Sequence, residues 1–260
     1  MQKSNEYNSK ETNKESQDPL VVVLVGGLGT RLGEKTKNTP KPMIEIAGAP
    51  MLEHTVKHIK ACGFSRFLFK QHYLPEIAER HFGDGSQHGA DIAYITFEEN
   101  LDTAGGLSHL KDESSPIFVI YGDELFDIDP NRLLAFHHKR KSDATLLVFE
   151  TTHPKDSDIV TMDGTRVVDT TYRPNDPSLG NLANAALYVF EPLCFGEIPE
   201  MGAFDFGREL IPLLIKKGYN VHGYKLQPDE YMEDAGTPDR FKKVEQDILS
   251  GTLTFKKEYN

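Results

Sequence analysis

The chain has 260 residues, 38% hydrophobic and 27% charged, with a formal net charge of −11. That length suits a water-soluble globular fold able to bury a core without staples, and the negative charge argues against a nucleic-acid or anionic-membrane partner, since both need a basic surface. No apolar run approaches the roughly 20 residues of a membrane span, and Cys62 and Cys194 lie too far apart for a thiolate metal site, which predicts two small core residues in a reducing, cytoplasmic setting.

Residues 1–18 are polar and read as a disordered tail. Leu20 to Val25 is a continuous β-branched and leucine run, the pattern of a parallel strand buried on both faces. Residues 50–62 place Met51, Leu52, Val56 and Ile59 at helical spacing, with Gly63 as the stop. Strands follow at 64–69, 92–97, 117–121 and 144–149, with helices at 75–81 and 131–139 between them. This alternation predicts an α/β fold with a Rossmann-like, three-layer α/β/α arrangement around a mixed, mostly parallel sheet. Beyond about residue 150 the strands shorten and turn signals appear at Asp163-Gly164 and Pro174-Asn175. Strands at 185–190 and 224–226 and a helix at 238–250 end the pattern. A single domain over 19–260 is expected, with one half at about 19–150 and the other at about 151–260.

Two motifs in the first half suit phosphate chemistry. GGLGTRL at 26–32 directly follows the first strand. Gly26, Gly27 and Gly29 allow positive φ and let backbone N–H groups face an anion. The spacing fits neither GxGxxG nor the Walker pattern, and taken alone the loop reads equally as a strand-to-helix turn. TPKPM at 39–43 then sets Lys41 between two prolines in what reads as an extended segment. Arg31, Lys35, Lys37 and Lys41 make a dense basic stretch in a chain of opposite net sign.

The combination GGLGTRL…TPKPMIEIAGAPMLEH resembles the N-terminal signature of the sugar-1-phosphate nucleotidyltransferases, and the likeness runs from about residue 20 to 245. The resemblance implies a triphosphate over the glycine loop, including Thr30, and Arg31 and Lys41 on the nucleotide and sugar phosphates. It implies in-line attack of the sugar phosphate on the α-phosphorus, with no covalent enzyme intermediate. Asp123 ends the buried strand of VIYGDELFDID, at an edge where open α/β sheets place ligands. Asp234 lies in YMEDAGTPDRF, which is similar to the family's D-x-G-T-P segment. By resemblance these two aspartates hold Mg²⁺, a cation satisfied by a few carboxylates plus phosphate oxygens. A lone Asp at either place would otherwise read as a helix cap or turn residue.

LDTAGGL at 101–107 is similar to the family's L-G-T-A-G-A-L loop beneath the nucleoside, so Thr103, Ala104 and Gly105 are assigned there. Asp102 departs from the family's glycine; an Asp still adopts a left-handed turn, but it adds a negative charge. Glu98 and Glu99 follow a strand end, where Glu99 suits the N–H donors of guanine, although acidic pairs there are commonly solvated. Asn184 in NLANAALYVF matches a sugar-reaching Asn. The family's Glu-Lys-Pro appears as Tyr172-Arg173-Pro174. Arg173 keeps a phosphate fork, but Tyr172 cannot replace a carboxylate that grips sugar hydroxyls. FDFGREL at 204–210 matches a family segment without a firm role for its charges. The ten histidines, His54 and His58 among them, show no metal pattern.

The resemblance therefore implies a nucleoside triphosphate and a sugar 1-phosphate as substrates and Mg²⁺ as cofactor. GTP and a mannose or manno-heptose 1-phosphate are favoured, and a homodimer is compatible. Cytidylyl or thymidylyl transfer to glucose 1-phosphate stands second, and a non-catalytic sugar-nucleotide-binding subunit third. Regulatory subunits lose members of the set Arg31, Lys41, Asp123 and Asp234, all present here. No hexapeptide repeat accompanies the pattern, so a second acetyl-transfer activity is not expected.

Overall fold

A computed structural model describes residues 18–26 and 29–255; the expected tail at 1–18, except Asp18, and Gly27 lie outside the described residues. In chain order the elements begin with β1 (Leu20–Leu24), β2 (Glu45–Ile46), β3 (Ala49–Pro50), α1 (Met51–Ala61), β4 (Arg66–Gln71) and α2 (Pro75–Phe82). There follow β5 (Asp91–Thr96), β6 (Ile117–Tyr121), β7 (Glu124–Phe126), α3 (Pro130–Arg140), β8 (Ala144–Glu150) and β9 (Ile159–Asp163). The last are β10 (Arg166–Thr171), β11 (Leu182–Phe190), α4 (Ile211–Lys216), β12 (Val221–Lys225), β13 (Met232–Asp234) and α5 (Pro238–Ser250).

These elements form two compact units, each gathered from separate stretches of chain. Of the described residues, the first takes those up to 99, 120–129 and those from 230 to 255; the second takes 100–119 and 130–229.

In the first unit β1 pairs in parallel with β4, in the register Val21↔Phe67 to Leu24↔Lys70, and β4 pairs in parallel with β5. All of β1 is buried, as its unbroken apolar run requires. Two short antiparallel pairs complete the unit, β2 with β3 and β7 with β13. A core of Leu32, Ile44, Ile46, Met51, Leu125, Phe241 and Val244 packs beneath them, and each such side chain contributes about 1.5–3 kcal/mol on full burial. Helix α5 spans the expected 238–250. Thr237 is its N-cap and accepts from the Arg240 backbone N–H, Pro238 takes the first turn, and Gly251 (φ 77°) ends it.

The second unit is mixed. β11 runs antiparallel to β8, β8 parallel to β12, β12 antiparallel to β10, and β10 antiparallel to β9. β9 also meets β11 at Ala183↔Ile159. The β9–β10 turn falls at Asp163-Gly164, as the sequence signals, with Gly164 at φ 60°. Strand β11 carries a register shift between Asn184 and Tyr188, and Ala186 inside it has φ 54°.

Candidate active site

The phosphate motifs of the first unit meet around backbone that cannot carry side chains. Gly29 has φ 57°, and a Cβ on it would lie 2.7 Å from Thr36 Cγ2 and 2.8 Å from Lys41 Cβ. The glycine loop thus packs directly on the lysine segment. Gly26 departs from the expectation: its φ is not positive, and a Cβ there would meet His72 only at an ordinary 3.5 Å. Thr30 opens a 3₁₀ helix over Thr30–Thr36 that also carries Arg31.

Lys41 is not held in an extended segment. Pro40 is extended (ψ 142°), and Lys41–Met43 form a 3₁₀ turn closed by the Met43 N–H on the Pro40 carbonyl at 2.8 Å. Pro42 fits because the amide it lacks would have no partner in the first turn of a helix. Lys41 is only 4% exposed, and its Nζ donates to Asp123 Oδ2 at 2.5 Å. Lys35 instead lies over the Phe241 ring at 4.0 Å, and Lys37 pairs with Glu34.

Asp123 is set by its neighbours. The Gly122 N–H donates to the Leu24 carbonyl at 3.0 Å, and a Cβ on Gly122 would lie 3.0 Å from that oxygen and 3.2 Å from Pro42 Cβ. The strand end, the β1 end and the proline-lysine turn therefore close on one another. The β7–β13 register places Asp234 opposite Glu124, the residue after Asp123. Asp234 Oδ1 accepts from the Gly236 N–H at 2.6 Å, and its Oδ2 pairs with Arg240. A Cβ on Gly236 would lie 3.1 Å from Lys41 Nζ and 3.3 Å from Arg31 Nη2, and against Asp234 Oδ1. Arg31, Lys41, Asp123 and Asp234 are thus brought together, with Gly236 at their centre.

Burial, then the Asp123 and Asp234 charges, push the Glu124 carboxyl well above its ordinary value, against the pull of Lys41. This carboxylate cluster suits a divalent cation that also takes phosphate oxygens. The second oxygen of Asp123 accepts no hydrogen bond among the described residues. No group of three or more His, Cys, Asp and Glu side chains among the described residues is arranged to hold a metal ion; Asp123 and Asp234 are the carboxylates here that could meet one.

The carboxyl edge of the parallel strands carries the rest of this unit's candidates. His72, just beyond β4, donates from Nδ1 to the Phe97 carbonyl at 3.0 Å and lies against Gly26. Glu98 and Glu99 follow Phe97 directly and are exposed.

In the second unit the loop at 101–105 is stitched to residues 204–206. The amides of Ala104 and Gly105 donate to the Phe204 carbonyl at 2.7 and 3.0 Å. A Cβ on Gly105 would lie 2.6 Å from the Gly202 carbonyl oxygen, so only glycine fits. Thr103 Oγ1 donates to Asp205 Oδ2 and accepts from the Phe206 amide, both at 2.9 Å. Asp102 adopts the left-handed conformation its sequence permits, φ 53°. Its charge is answered by Arg208 Nη2 at 3.4 Å.

The residues of this unit that the resemblance assigns to a sugar also lie near one another. Tyr172 is 50% exposed, and the guanidinium groups of Arg173 and Arg208 lie 5.1 and 5.7 Å from its ring centre. Arg173 holds φ 40°. Asn184 spends much of its amide on its own strand: Nδ2 donates to the Tyr188 hydroxyl at 2.8 Å, and Oδ1 accepts from the Ala186 N–H at 3.1 Å. These bonds hold the β11 irregularity. A Cβ on Gly207 would lie 3.3 Å from Asn184 Nδ2, 3.3 Å from Asp158 Oδ2 and 3.6 Å from Asp205 Oδ1.

Sequence reasoning missed Glu124, Asp158, Asp205, Arg208 and Arg240 as site neighbours. The last three stand in segments already singled out, FDFGREL and DAGTPDR, and Glu124 follows Asp123. Asp158, before a short strand, gave no pattern to find.

A family model described as nucleotidyl transferase matches residues 20–251. The mannose-1-phosphate guanylyltransferase of Mycobacterium tuberculosis is 36% identical over 234 residues, covering 88% of this chain and 64% of that protein. The UTP–glucose-1-phosphate uridylyltransferase of a Synechocystis species is 28% identical over 242 residues, covering 86% of this chain and 62% of that one. The crystal structure of HddC from Yersinia pseudotuberculosis aligns with a TM-score of 0.74 at 22% identity, over 88% of this chain and 99% of its own, a likeness of fold. The chain spans less than two thirds of the length of the curated relatives it matches. With a match over nearly all its described residues, the chain belongs to the nucleotidyl transferase family.

Proposed function

We propose that this chain transfers a nucleotidyl group from a nucleoside triphosphate to a sugar 1-phosphate, releasing pyrophosphate. The observation that carries the reading is the convergence of Arg31, Lys41 and Asp234 on Gly236, with Asp123 bonded to Lys41. Phosphoryl and nucleotidyl transfers leave little covalent work for a protein; positioning and charge stabilisation dominate. Lys41 suits that role because it is buried and oriented before substrate arrives, so it needs no reorganisation as charge develops. Arg31 adds a second cation with a planar fork for phosphate oxygens. Gly236 and Gly29 keep the backbone clear of both.

Asp123 and Asp234 would hold Mg²⁺ beside these cations. When bound, the ion would offset charge on the α-phosphoryl group and on the departing pyrophosphate. Asp123 also fixes Lys41, and Arg240 and the Gly236 amide fix Asp234.

GTP is the favoured donor and a mannose-like 1-phosphate the favoured acceptor. Support comes from the likeness to the Mycobacterium tuberculosis guanylyltransferase and from the exposed Glu98 and Glu99 beyond β5, which suit the N–H donors of guanine. Uridylyl, cytidylyl or thymidylyl transfer to glucose 1-phosphate is the competing reading. Incubation with each triphosphate, a panel of sugar 1-phosphates and Mg²⁺ separates them by pyrophosphate release. Fastest release with GTP is expected; release with another triphosphate but none with GTP would overturn the choice of base.

A further inference from the structure

We propose that Asp158 is a specificity-determining residue: beside Gly207 and Asn184, its carboxylate accepts hydrogen bonds from hydroxyl groups of the sugar 1-phosphate. The proposal rests on the transferase reading and deepens it on the acceptor side. Resemblance implies a hydroxyl-gripping carboxylate at residue 172, where this chain has tyrosine. The second unit supplies carboxylates close by, and their hydrogen bonds decide which is available.

Asp205 is committed to the fold. Its Oδ2 accepts from Thr103 Oγ1 at 2.9 Å, and its Oδ1 accepts from the Arg208 amide at 2.8 Å, capping the π-helical turn over Phe206–Leu210. Asp102 is turned to Arg208. Glu209 accepts from the Asp205 amide at 2.9 Å. Asp158 alone of this group accepts no side-chain hydrogen bond among the described residues. Its backbone is nonetheless fixed, because its carbonyl accepts from the Asn184 amide at 2.8 Å. Its side chain is therefore positioned next to the start of β9 and beside β11, half-buried and not committed to another side chain by a hydrogen bond among the described residues.

The space in front of it is kept by a glycine. Gly207 has no positive φ, so backbone conformation does not demand glycine there. What a side chain would do is crowd the gap, since its Cβ would lie 3.3 Å from both Asp158 Oδ2 and Asn184 Nδ2. Acceptor and amide donor thus flank one small opening, the pair of groups that reads a hydroxyl as donor and acceptor. Burial, and then the Asp205 charge, raise the Asp158 carboxyl above its ordinary value, while Arg173 and Arg208 oppose the rise. A half-buried carboxylate that accepts no side-chain hydrogen bond among the described residues can take up hydroxyl donors of a ligand.

The test is steady-state kinetics of wild type, Asp158→Ala, Asp158→Asn and Gly207→Ala, with the triphosphate and the sugar 1-phosphate varied separately. Asp158→Ala should raise KM for the sugar 1-phosphate by roughly 10- to 100-fold, the range for a lost hydrogen bond to a charged group. KM for the triphosphate should stay within a few-fold. Asp158→Asn, which keeps an acceptor oxygen, should recover part of the loss, and Gly207→Ala should raise the same KM with no charge removed. Among monodeoxy sugar 1-phosphates, wild type should discriminate against at least one that Asp158→Ala accepts as well as the parent. Removal of Asp158 also relieves its repulsion with Asp205, so the melting temperature should not fall. An unchanged sugar KM in Asp158→Ala, or equal discrimination among the deoxy substrates, overturns the assignment alone. Absence of pyrophosphate release by wild type with every substrate pair overturns the transferase reading, and the assignment with it.

Discussion

In the first unit Lys41 is almost fully buried and bonded to Asp123 at 2.5 Å. In the second, the Arg208 side chain is 41% exposed and is shared among Asp102, Asp205 and the Tyr172 ring. The first arrangement is rigid: an ammonium out of water must keep its carboxylate, and glycines at 29, 122 and 236 leave no room for drift. The second is adjustable, because exposed ion pairs contribute little and a guanidinium slides over a ring at small cost. The first unit holds the residues that match the family signature, and the second holds the departures at 102, 172 and 173. Under the proposed reading, reaction chemistry, which tolerates little displacement, would fall to the first unit, and recognition of one sugar over another would fall to the second.

Substitutions in the rigid unit should therefore cost the most turnover. Lys41→Ala should lower turnover by roughly 10²–10³-fold, the scale for one preorganised donor to a developing charge. Asp123, part exposed, hydrates once unpaired, so the circular dichroism spectrum should not change. Activity within a few-fold of wild type would remove Lys41 from the reaction. Gly236→Ala would press a methyl group on Asp234, Lys41 and Arg31 and should lower turnover by roughly 10–10²-fold. If its kinetics match wild type, the four side chains do not act as one site.

Substitutions in the adjustable unit should act on stability or recognition instead. Asp205→Ala removes a helix cap and the Thr103 anchor of the 101–105 loop. A loss of about 1–3 kcal/mol in denaturant unfolding is expected; an unchanged midpoint would mean that the loop is held otherwise. The smallest effect belongs to His137, which is fully buried, with Nδ1 against Thr145 and Nε2 against Glu191. Burial lowers its pKa, and Glu191 opposes the shift. The unfolded chain takes up this proton near pH 6.5, and the folded chain takes it up only at lower pH. Its contribution is therefore complete above about pH 6.5 and is lost as pH falls through the folded value. The unfolding free energy should change less between pH 7.5 and 5.5 in His137→Gln than in wild type. Equal differences would contradict the assignment.

Much of this was legible in sequence where one residue's neighbours in sequence are also its neighbours in space. The buried run at 20–25 fixes β1, and Thr237-Pro238 fixes the start of α5 to the residue. Asp102 in a left-handed turn follows from its side chain. The short pairs β2–β3 and β7–β13 were not legible, since two or three residues carry no periodicity. β12 appeared three residues late because His222 and Gly223 dilute its apolar pattern. The return of 120–129 and of the chain beyond 230 to the first unit depends on long-range packing that no local pattern records. Asp158 was invisible for the same reason: its partners Asn184 and Gly207 lie far along the chain.

The most direct test of the account is the Mg²⁺ dependence of pyrophosphate release in wild type and Asp123→Asn, at saturating GTP and mannose 1-phosphate. The account predicts a saturable curve for wild type. In the variant the half-saturating Mg²⁺ concentration should rise at least roughly tenfold, with the fold intact. Superimposable curves for the two proteins would contradict it.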